Sequence, residues 1–354
     1  MSERIPVAVL GATGSVGQRF VQLLAGHPWF RLTTVTGSPA RVGKRYAETC
    51  RWILSEPMPE EVRDLTVAPT EPSAVDAELV FSALPSDVAR EKEPWFAEAG
   101  FPVCTNAGAY RREADVPILL PEVNPDHLAA VDVQRRRRGW KGFIVTNPNC
   151  TSTGMTVALK ALQDAFGLSQ VMAVSLQATS GAGYPGVPSL DIVDNVIPFI
   201  SGEEGKVEWE PRKMLGRFTG DTFELADFRI SAHTNRVTVL DGHTVCLTVK
   251  LGRTAAAAEV EAALADYTPP AVCRDLPSCP HPVVVVRKEP DRPQPRLDRM
   301  CGKGMSTVVG RVREDNIFDV RMVVLSHNTI RGAAGGSLFN AELLVSQGLV
   351  AGRR

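Results

Sequence analysis

The feature that most limits how this chain can fold is an apolar run that halts at a glycine and restarts as a helix. Ile5-Pro6-Val7-Ala8-Val9-Leu10 is followed directly by Gly11-Ala12-Thr13-Gly14-Ser15-Val16-Gly17. A strand apolar on every residue has both faces covered, as in a parallel sheet flanked by helices. The three glycines then have distinct tasks. Gly11 permits a tight turn, Gly14 lets the backbone come close to a pyrophosphate, and Gly17 allows the helix to pack on the strand. The helix start offers free N–H groups and a positive dipole end to an anion. The G-x-x-G-x-x-G spacing is a variant of the dinucleotide fingerprint. It predicts nucleotide contacts along Gly11, Thr13, Gly14, Ser15, Val16 and Gly17.

The residues that follow keep the strand–helix alternation. Helical stretches are predicted at 15–25, Ser86–Ala99 and 125–138, and strands at 31–36, 79–83, 101–104, 117–120 and 142–146. Parallel strands with crossover helices make a doubly wound α/β sheet. Beyond residue 150 the pattern changes. A long helix at 153–166 precedes alternating strands at 171–179, 228–240 and 243–250, which suit an antiparallel sheet with one covered face. An alanine-rich helix at 254–266, a proline-rich surface stretch at 269–295, a strand at 317–326 and an amphipathic helix at 331–346 complete the chain. At 354 residues two domains are expected. The division predicted is a Rossmann-type domain at 1–150, to which the C-terminal segment 329–354 returns, and an α+β substrate and dimerisation domain at 151–328.

Charge gives little reason to look for a polyanionic partner. Thirty-nine Lys and Arg nearly balance 40 Asp and Glu, for a net charge of -1, so neither nucleic acid nor a membrane surface is expected. The Arg135–Arg138 run suits the last turn of a helix ended by Gly139. The apolar run at Ile5–Leu10 is too short for a secretory segment, and no stretch reaches membrane-spanning length. Seven scattered cysteines point to reduced thiols and a cytoplasmic location rather than a disulfide framework. Cys273 and Cys279 lack a second ligand pair, so no metal site is expected.

Two positions carry chemistry. After the second strand the chain reads Thr36-Gly37-Ser38-Pro39-Ala40-Arg41-Val42-Gly43-Lys44. An NAD site usually places a carboxylate there for the ribose 2′-hydroxyl. Here hydroxyls, Ser38 among them, and cations stand instead, which suits the 2′-phosphate of NADP. Further on, Asn147-Pro148-Asn149-Cys150-Thr151 links a strand to a helix. A thiol at that helix start feels the dipole and free N–H groups, both of which favour thiolate. Such a cysteine can attack a carbonyl while nearby N–H groups hold the oxyanion. The alternative is a small buried hydrophobe, as expected of the other six cysteines.

These motifs, with Gln177-Ala178-Thr179-Ser180-Gly181-Ala182-Gly183-Tyr184-Pro185-Gly186, Asp241-Gly242-His243-Thr244 and Asn328-Thr329-Ile330-Arg331-Gly332-Ala333-Ala334-Gly335, occur in one order. Together they resemble the aspartate-semialdehyde dehydrogenases, in the branch found in archaea and fungi, over nearly the whole chain. The resemblance implies an NADP-dependent, reversible conversion of 4-phospho-L-aspartate to L-aspartate 4-semialdehyde through a Cys150 thioester, on the route to lysine, methionine and threonine. It implies His243 as general acid/base, work that suits an imidazole. It further implies that Gln177 and Asn149 lie near the substrate, that Arg236 grips its α-carboxylate, and that Glu210, Lys213 and Arg111 contact its amine and inorganic phosphate. Ser82, Ser180, Gly181 and Asn328 join the cofactor set, and a homodimer or homotetramer is implied. His27, His127, His233, His281 and His327 have no counterpart and are expected to be structural. The branch commonly has Gln-Cys-Asn-Arg where this chain has His233-Thr234-Asn235-Arg236, so the pocket wall can differ there. Arg212 beside Lys213 leaves open which of the two meets phosphate. A malonyl-CoA-reductase-like acyl-CoA reductase is a rival with the same thioester chemistry; Glu210 and Lys213 weigh against it, since a malonyl group has no ammonium. N-acetyl-glutamyl-phosphate reductase is parallel but matches less well. A non-catalytic NADP-binding sensor is a third possibility, disfavoured because Cys150 and His243 are both present.

Overall fold

The structure, a computed structural model, describes residues 4–350. Six strands, β1 (Ile5–Leu10), β2 (Phe30–Thr36), β3 (Val67–Ala68), β4 (Leu79–Ser82), β5 (Pro102–Thr105) and β6 (Phe143–Thr146), form one parallel sheet in the order β3-β2-β1-β4-β5-β6. This is the doubly wound arrangement that the alternation predicted. Strand order reverses between β1 and β4, and the crevice outside their carboxyl ends is where such sheets hold ligands. Phe20 of the Ser15–Leu24 helix stacks on Phe81 of β4 at 4.9 Å, and Phe30 of β2 meets Phe81 edge-on at 5.9 Å. These rings clamp the helix onto the sheet.

Some predicted elements take a different form. Residues 117–120 make no strand: Ile118 forms a single bridge to Thr146, because the flanking Pro117 and Pro121 bring no N–H to a ladder. The helix at 125–138 begins as a 3-10 turn, Pro125–Ala129, and becomes α-helical at Ala130–Arg138 before Gly139 closes it in the left-handed region. Its arginines meet the protein's own carboxylates: Arg138 bonds Asp115 and Glu113, and Arg137 bonds Asp221.

The helix Cys150–Phe166 leads into a second sheet, of β7 (Leu168–Gln177), β10 (Arg229–Arg236), β11 (His243–Leu251), β12 (Val284–Arg287), β13 (Thr307–Glu314) and β14 (Val320–Ser326); β8 (Arg217–Phe218) and β9 (Phe223–Glu224) form a separate hairpin. The order is β10-β7-β11-β14-β13-β12. This sheet is mixed rather than antiparallel, since β10 runs parallel to β7 and β12 parallel to β13. The helix Glu203–Met214 between β7 and β10 explains the first case: a crossover element returns the chain in the same direction. Strand β12 lies inside the stretch read as a proline-rich surface wrap. Val283-Val284-Val285-Val286 is enough for an edge strand, where neighbouring prolines are tolerated. Strand β14 starts later than residue 317 because the Asp315 carboxylate accepts the Ile317 and Phe318 N–H groups and holds a turn.

The last helix differs most from its prediction. A short π-helical turn, Ile330–Ala334, precedes Gly335–Ser346, and every residue from Gly335 to Val345 is buried. It is therefore not amphipathic but an interior helix. Leu338, Phe339 and Leu344 share one core with Val7, Phe20 and Phe81 of the first sheet. Its polar Glu342 accepts from His27 Nε2 at 3.0 Å and from the Ser278 N–H at 2.8 Å. Residues 1–3 and 351–354, which belong to the two predicted ends of the first domain, lie outside the described residues.

Candidate active site

The site begins at the carboxyl edge of the first sheet. Gly11, with φ of +75°, turns the chain after β1. A Cβ on Gly17 would stand 2.3 Å from the Gly11 carbonyl oxygen, so this glycine serves helix packing rather than ligand contact. No side chain caps the Ser15–Leu24 helix, which leaves its first N–H groups available to an anion. A cavity of about 730 Å³ opens in front, lined by Gly11, Thr13, Gly14, Ser38, Arg41 and Glu71 among others, and walled by Ala83-Leu84-Pro85. Arg41 Nη1 donates to Thr13 Oγ1, which puts a guanidinium beside Ser38 where the missing carboxylate of an NAD site would stand. A glycine cradle, an uncapped helix and a cation at the far end fit a dinucleotide carrying an extra phosphate. Ser82 is a correction: it is fully buried at the end of β4, behind the cavity wall, and the three residues after it do the lining.

A second cavity, of about 310 Å³, shares that wall and continues past Val16, Asn106, Gly108 and Arg111 to Asn149, Cys150, Lys206, Asn328 and Gly332. Cys150 opens its helix with Asn149 as the cap, whose Oδ1 accepts the N–H groups of Thr151 (2.9 Å) and Ser152 (3.2 Å). The sulfur lies 3.2 Å from His243 Nε2. His243 opens β11 after Gly242, which has φ of +104°. The N–H of Ala178 donates to His243 Nδ1 at 3.0 Å. A nitrogen that accepts cannot hold the proton, so the neutral ring carries it on Nε2 and presents it to the sulfur. Gly242 donates its N–H to Asn328 Oδ1, and Asn328 Nδ2 donates to Ser180 Oγ, which ties the histidine turn to the cleft wall.

Opposing influences act on the nucleophile. Burial, with Glu203 adding to it, pushes the Cys150 thiol up to about 12, although Arg111, Arg236 and Lys206 pull the other way. Desolvation thus works against the helix start and the nearby cations at this sulfur. Burial, helped by Arg236 and His327, lowers His243 to about 3 and keeps the ring neutral. Space around the pair is tight. A Cβ on Gly332 would lie 2.8 Å from that of Cys150, and one on Gly181 would lie 2.8 Å from Arg236 Nη1 and 3.1 Å from His243 Cε1.

The other predicted residues fall into two groups. Arg236, the last residue of β10, pairs in register with Gln177, the last of β7, and donates through Nη1 to the Ala178 carbonyl. Both lie next to the His243 anchor, with the Gln177 amide donating to Ser175 Oγ. Arg111 lines the cleft. Ser15 and Ser180 line an adjoining pocket of about 620 Å³ with Tyr184 and Thr329. Lys213 does not reach the cleft. Its ammonium is buried and donates to the carbonyls of Arg111, Glu113 and Val116. Arg212 points away too, donating to the Ala226 carbonyl, so neither residue is placed to meet phosphate. Glu210 is consumed by Arg111 Nη1 and the Asn149 N–H. The pair that does reach the site lies two turns earlier and was missed: Lys206 lines the cleft, and Glu203 accepts from Lys206 and from Asn149 Nδ2.

A dinucleotide cradle that runs into a cleft holding a thiol and an imidazole in contact defines a class, the two-domain nicotinamide-dependent dehydrogenases with a cysteine nucleophile. Residues 6–131 match the family described as semialdehyde dehydrogenase, NAD binding domain, and residues 159–331 that described as semialdehyde dehydrogenase, dimerisation domain. The aspartate-semialdehyde dehydrogenase of Archaeoglobus fulgidus is 55% identical over 98% of this chain and 100% of its own, and that of Cryptococcus neoformans is 47% identical over 98% of each. A crystal structure of aspartate semialdehyde dehydrogenase with NADP from Candida albicans superposes with a TM-score of 0.90 at 40% identity, over 98% of this chain and 100% of that one. The chain belongs to the aspartate-semialdehyde dehydrogenase family.

Proposed function

We propose that this protein is an NADP-dependent aspartate-semialdehyde dehydrogenase that reduces 4-phospho-L-aspartate to L-aspartate 4-semialdehyde and releases inorganic phosphate. The observation that carries the reading is the 3.2 Å contact between Cys150 Sγ and His243 Nε2 on the cleft that continues the dinucleotide cavity. The Cys150 thiol gives up its proton to solvent as its sulfur adds to the acyl carbonyl. The bond between that carbon and the phosphate oxygen then breaks, phosphate leaves with the electron pair and takes up a proton, and a thioester remains on the cysteine. His243 Nε2–H hydrogen-bonds the oxyanion formed at that carbon, lends it the proton in the reduced adduct and takes the same proton back as the aldehyde carbonyl forms. NADPH held in the adjoining cavity would supply the hydride that reduces the thioester carbon; the C–S bond to Cys150 then breaks, the aldehyde leaves, and the cysteine regains its proton from solvent.

The remaining side chains bind and orient. Arg236 faces the α-carboxylate, for which a planar fork is suited. Glu203 takes the substrate ammonium, and Lys206 and Arg111 take the phosphate; Glu203 and Lys206 thus replace Glu210 and Lys213 in the roles first given to those residues. Asn149 and Gln177 hold the nucleophile and the carboxylate end in register. Gly11, Thr13, Gly14, Ser15 and Val16 cradle the pyrophosphate, Ser38 and Arg41 take the 2′-phosphate, and Ser180, Gly181 and Asn328 border the nicotinamide. The two domains meet at this cleft, residues 1–150 with the C-terminal helix on one side and 151–328 on the other. A homodimer or homotetramer is part of the reading. It is supported by apolar side chains left exposed on the second domain, among them Met172, Val174, Leu190 and Phe199. A cytoplasmic location and a role in lysine, methionine and threonine synthesis complete it.

The test runs the reaction backwards. Purified protein with aspartate semialdehyde, phosphate and NADP is expected to form NADPH, followed by its absorbance, only when all three are present. Turnover that ignores phosphate and needs coenzyme A instead, or no turnover at all from folded protein, overturns the assignment.

A further inference from the structure

The Glu210–Lys213 segment is buried, charged and unused by the chemistry above. Lys213 Nζ sits between the aromatic faces of Trp209 and Phe223, 5.5 and 4.3 Å from their centroids. It donates to three backbone carbonyls, those of Arg111 at 2.8 Å, Glu113 at 2.9 Å and Val116 at 2.7 Å. An ammonium has three protons, so all are spent, and all on one loop of the other domain. One turn earlier on the same helix, Glu210 Oε1 accepts from Arg111 Nη1 at 2.9 Å, and Oε2 accepts from the Asn149 N–H at 2.6 Å. The helix Glu203–Met214 therefore grips the backbone of Arg111, its guanidinium, and the residue next to Cys150.

The effect on Arg111 can be counted in hydrogens. A guanidinium has five N–H groups. Nε donates to the Asn147 carbonyl, Nη2 to the Asn106 carbonyl and Nη1 to Glu210. One hydrogen is left on each terminal nitrogen, and the residue lines the cleft beside Cys150. N–H groups of a guanidinium held at a fixed place are what an oxyanion such as phosphate accepts. Without Glu210 and Lys213 the side chain would keep its charge and its bonds to the Asn147 and Asn106 carbonyls, but lose the carboxylate that fixes Nη1 and the ammonium that holds its backbone.

We propose that Glu210 and Lys213 are positioning residues: an interdomain clamp that aims the free edge of Arg111 at the phosphate and sets its distance from the Cys150 sulfur. This rests on the phosphate-releasing reaction proposed above. Among the binding constants its prediction concerns phosphate, because the clamp touches neither the nucleotide cavity nor the Arg236 end of the cleft; the bond of Glu210 to the Asn149 N–H beside Cys150 is expected to show in kcat.

The experiment uses the full chain with Glu210→Gln and, separately, Lys213→Met, assayed in the oxidative direction. The KM for phosphate, the KM for aspartate semialdehyde and the Kd for NADP by fluorescence are measured together. The clamp predicts a rise of about tenfold or more in the phosphate KM of each folded variant, the scale of one misaimed charge-assisted hydrogen bond. The aldehyde KM and NADP Kd stay within about twofold of wild type, a margin well inside the tenfold that 1.4 kcal/mol represents. Glu210→Gln keeps the size and one acceptor oxygen, so it carries the test if Lys213→Met does not fold. A phosphate KM unchanged in a folded variant, or all three constants shifted alike, overturns the clamp and makes these ordinary core residues. Failure of the wild type to use phosphate overturns the reaction instead, so the two failures are distinguishable.

Discussion

The nucleotide cavity and the cleft behind it share the wall Ala83-Leu84-Pro85, yet they are assembled in opposite ways. The cavity is made of turns that follow single strands of one parallel sheet, each turn serving largely by its backbone. Gly11, Gly14 and Gly17 sit within seven residues of sequence, and the Ser15–Leu24 helix starts among them. The cleft is made of side chains from distant segments. Cys150 comes from the end of the first sheet, His243 from a middle strand of the second, Arg236 from its edge, and Gly332 from the C-terminal π-helical turn. The difference teaches where each half is vulnerable. A cavity built from backbone loses affinity when altered, whereas a cleft built from converging side chains loses rate.

Three substitutions separate the halves and a fourth tests the surrounding core, beginning with the largest effect. Cys150→Ser should lower turnover by about 10⁴ or more, as removal of an enzymic nucleophile does. Its NADP Kd, by fluorescence titration, should stay near wild type; lost cofactor binding would show that the two cavities are not independent. His243→Asn should slow turnover by roughly 10² to 10⁴, the range of general acid–base catalysis. A rate within a few-fold of wild type in that variant would take the imidazole out of the mechanism.

Arg41→Ala acts on the other side of the wall. It should weaken NADP by about tenfold, the scale of one charge-assisted contact, and leave NAD unchanged. Equal losses for both nucleotides would mean that Arg41 only braces Thr13. The smallest effect is on stability. Burial raises the Glu93 carboxyl to about 7, against the opposing pull of the Thr105 and Ser82 hydroxyls and Arg111. A folded-state value above the ordinary 4.5 means that the folded protein keeps a proton the unfolded chain gives up. The stability this contributes is full below the ordinary value and is lost as pH rises through about 7. Glu93→Gln should therefore raise the melting temperature at pH 8 and change it little at pH 4. The gain should be on the order of 1–3 kcal/mol, and an equal shift at both pH values would remove ionisation as the cause.

Much of this was legible in the chain. An unbroken apolar run ending in spaced glycines allows few folds, since only a covered parallel strand keeps such a run out of water. The Asn149–Cys150 junction between strand and helix was legible for the same local reason. Less visible were the single bridge of Ile118 between two prolines, the β12 strand hidden among prolines, and a final helix buried on every side. Each of those depends on what packs against the segment rather than on the segment.

The helix Glu203–Met214 shows the boundary most plainly. Glu203 and Lys206 stand three apart, as do Glu210 and Lys213, and the two pairs are seven residues apart. Seven residues are close to two turns, about 10 Å along the axis on nearly the same face. Pattern alone therefore could not choose between the pairs. The sequence by itself determined that an acid and a base would recur on one side of this helix. The tertiary structure decided that the first pair meets the cleft while the second is buried under the Arg111 loop. The thiol follows the same division, because its place at a helix start is local, but the burial that pushes it up to about 12 is supplied by the surrounding fold.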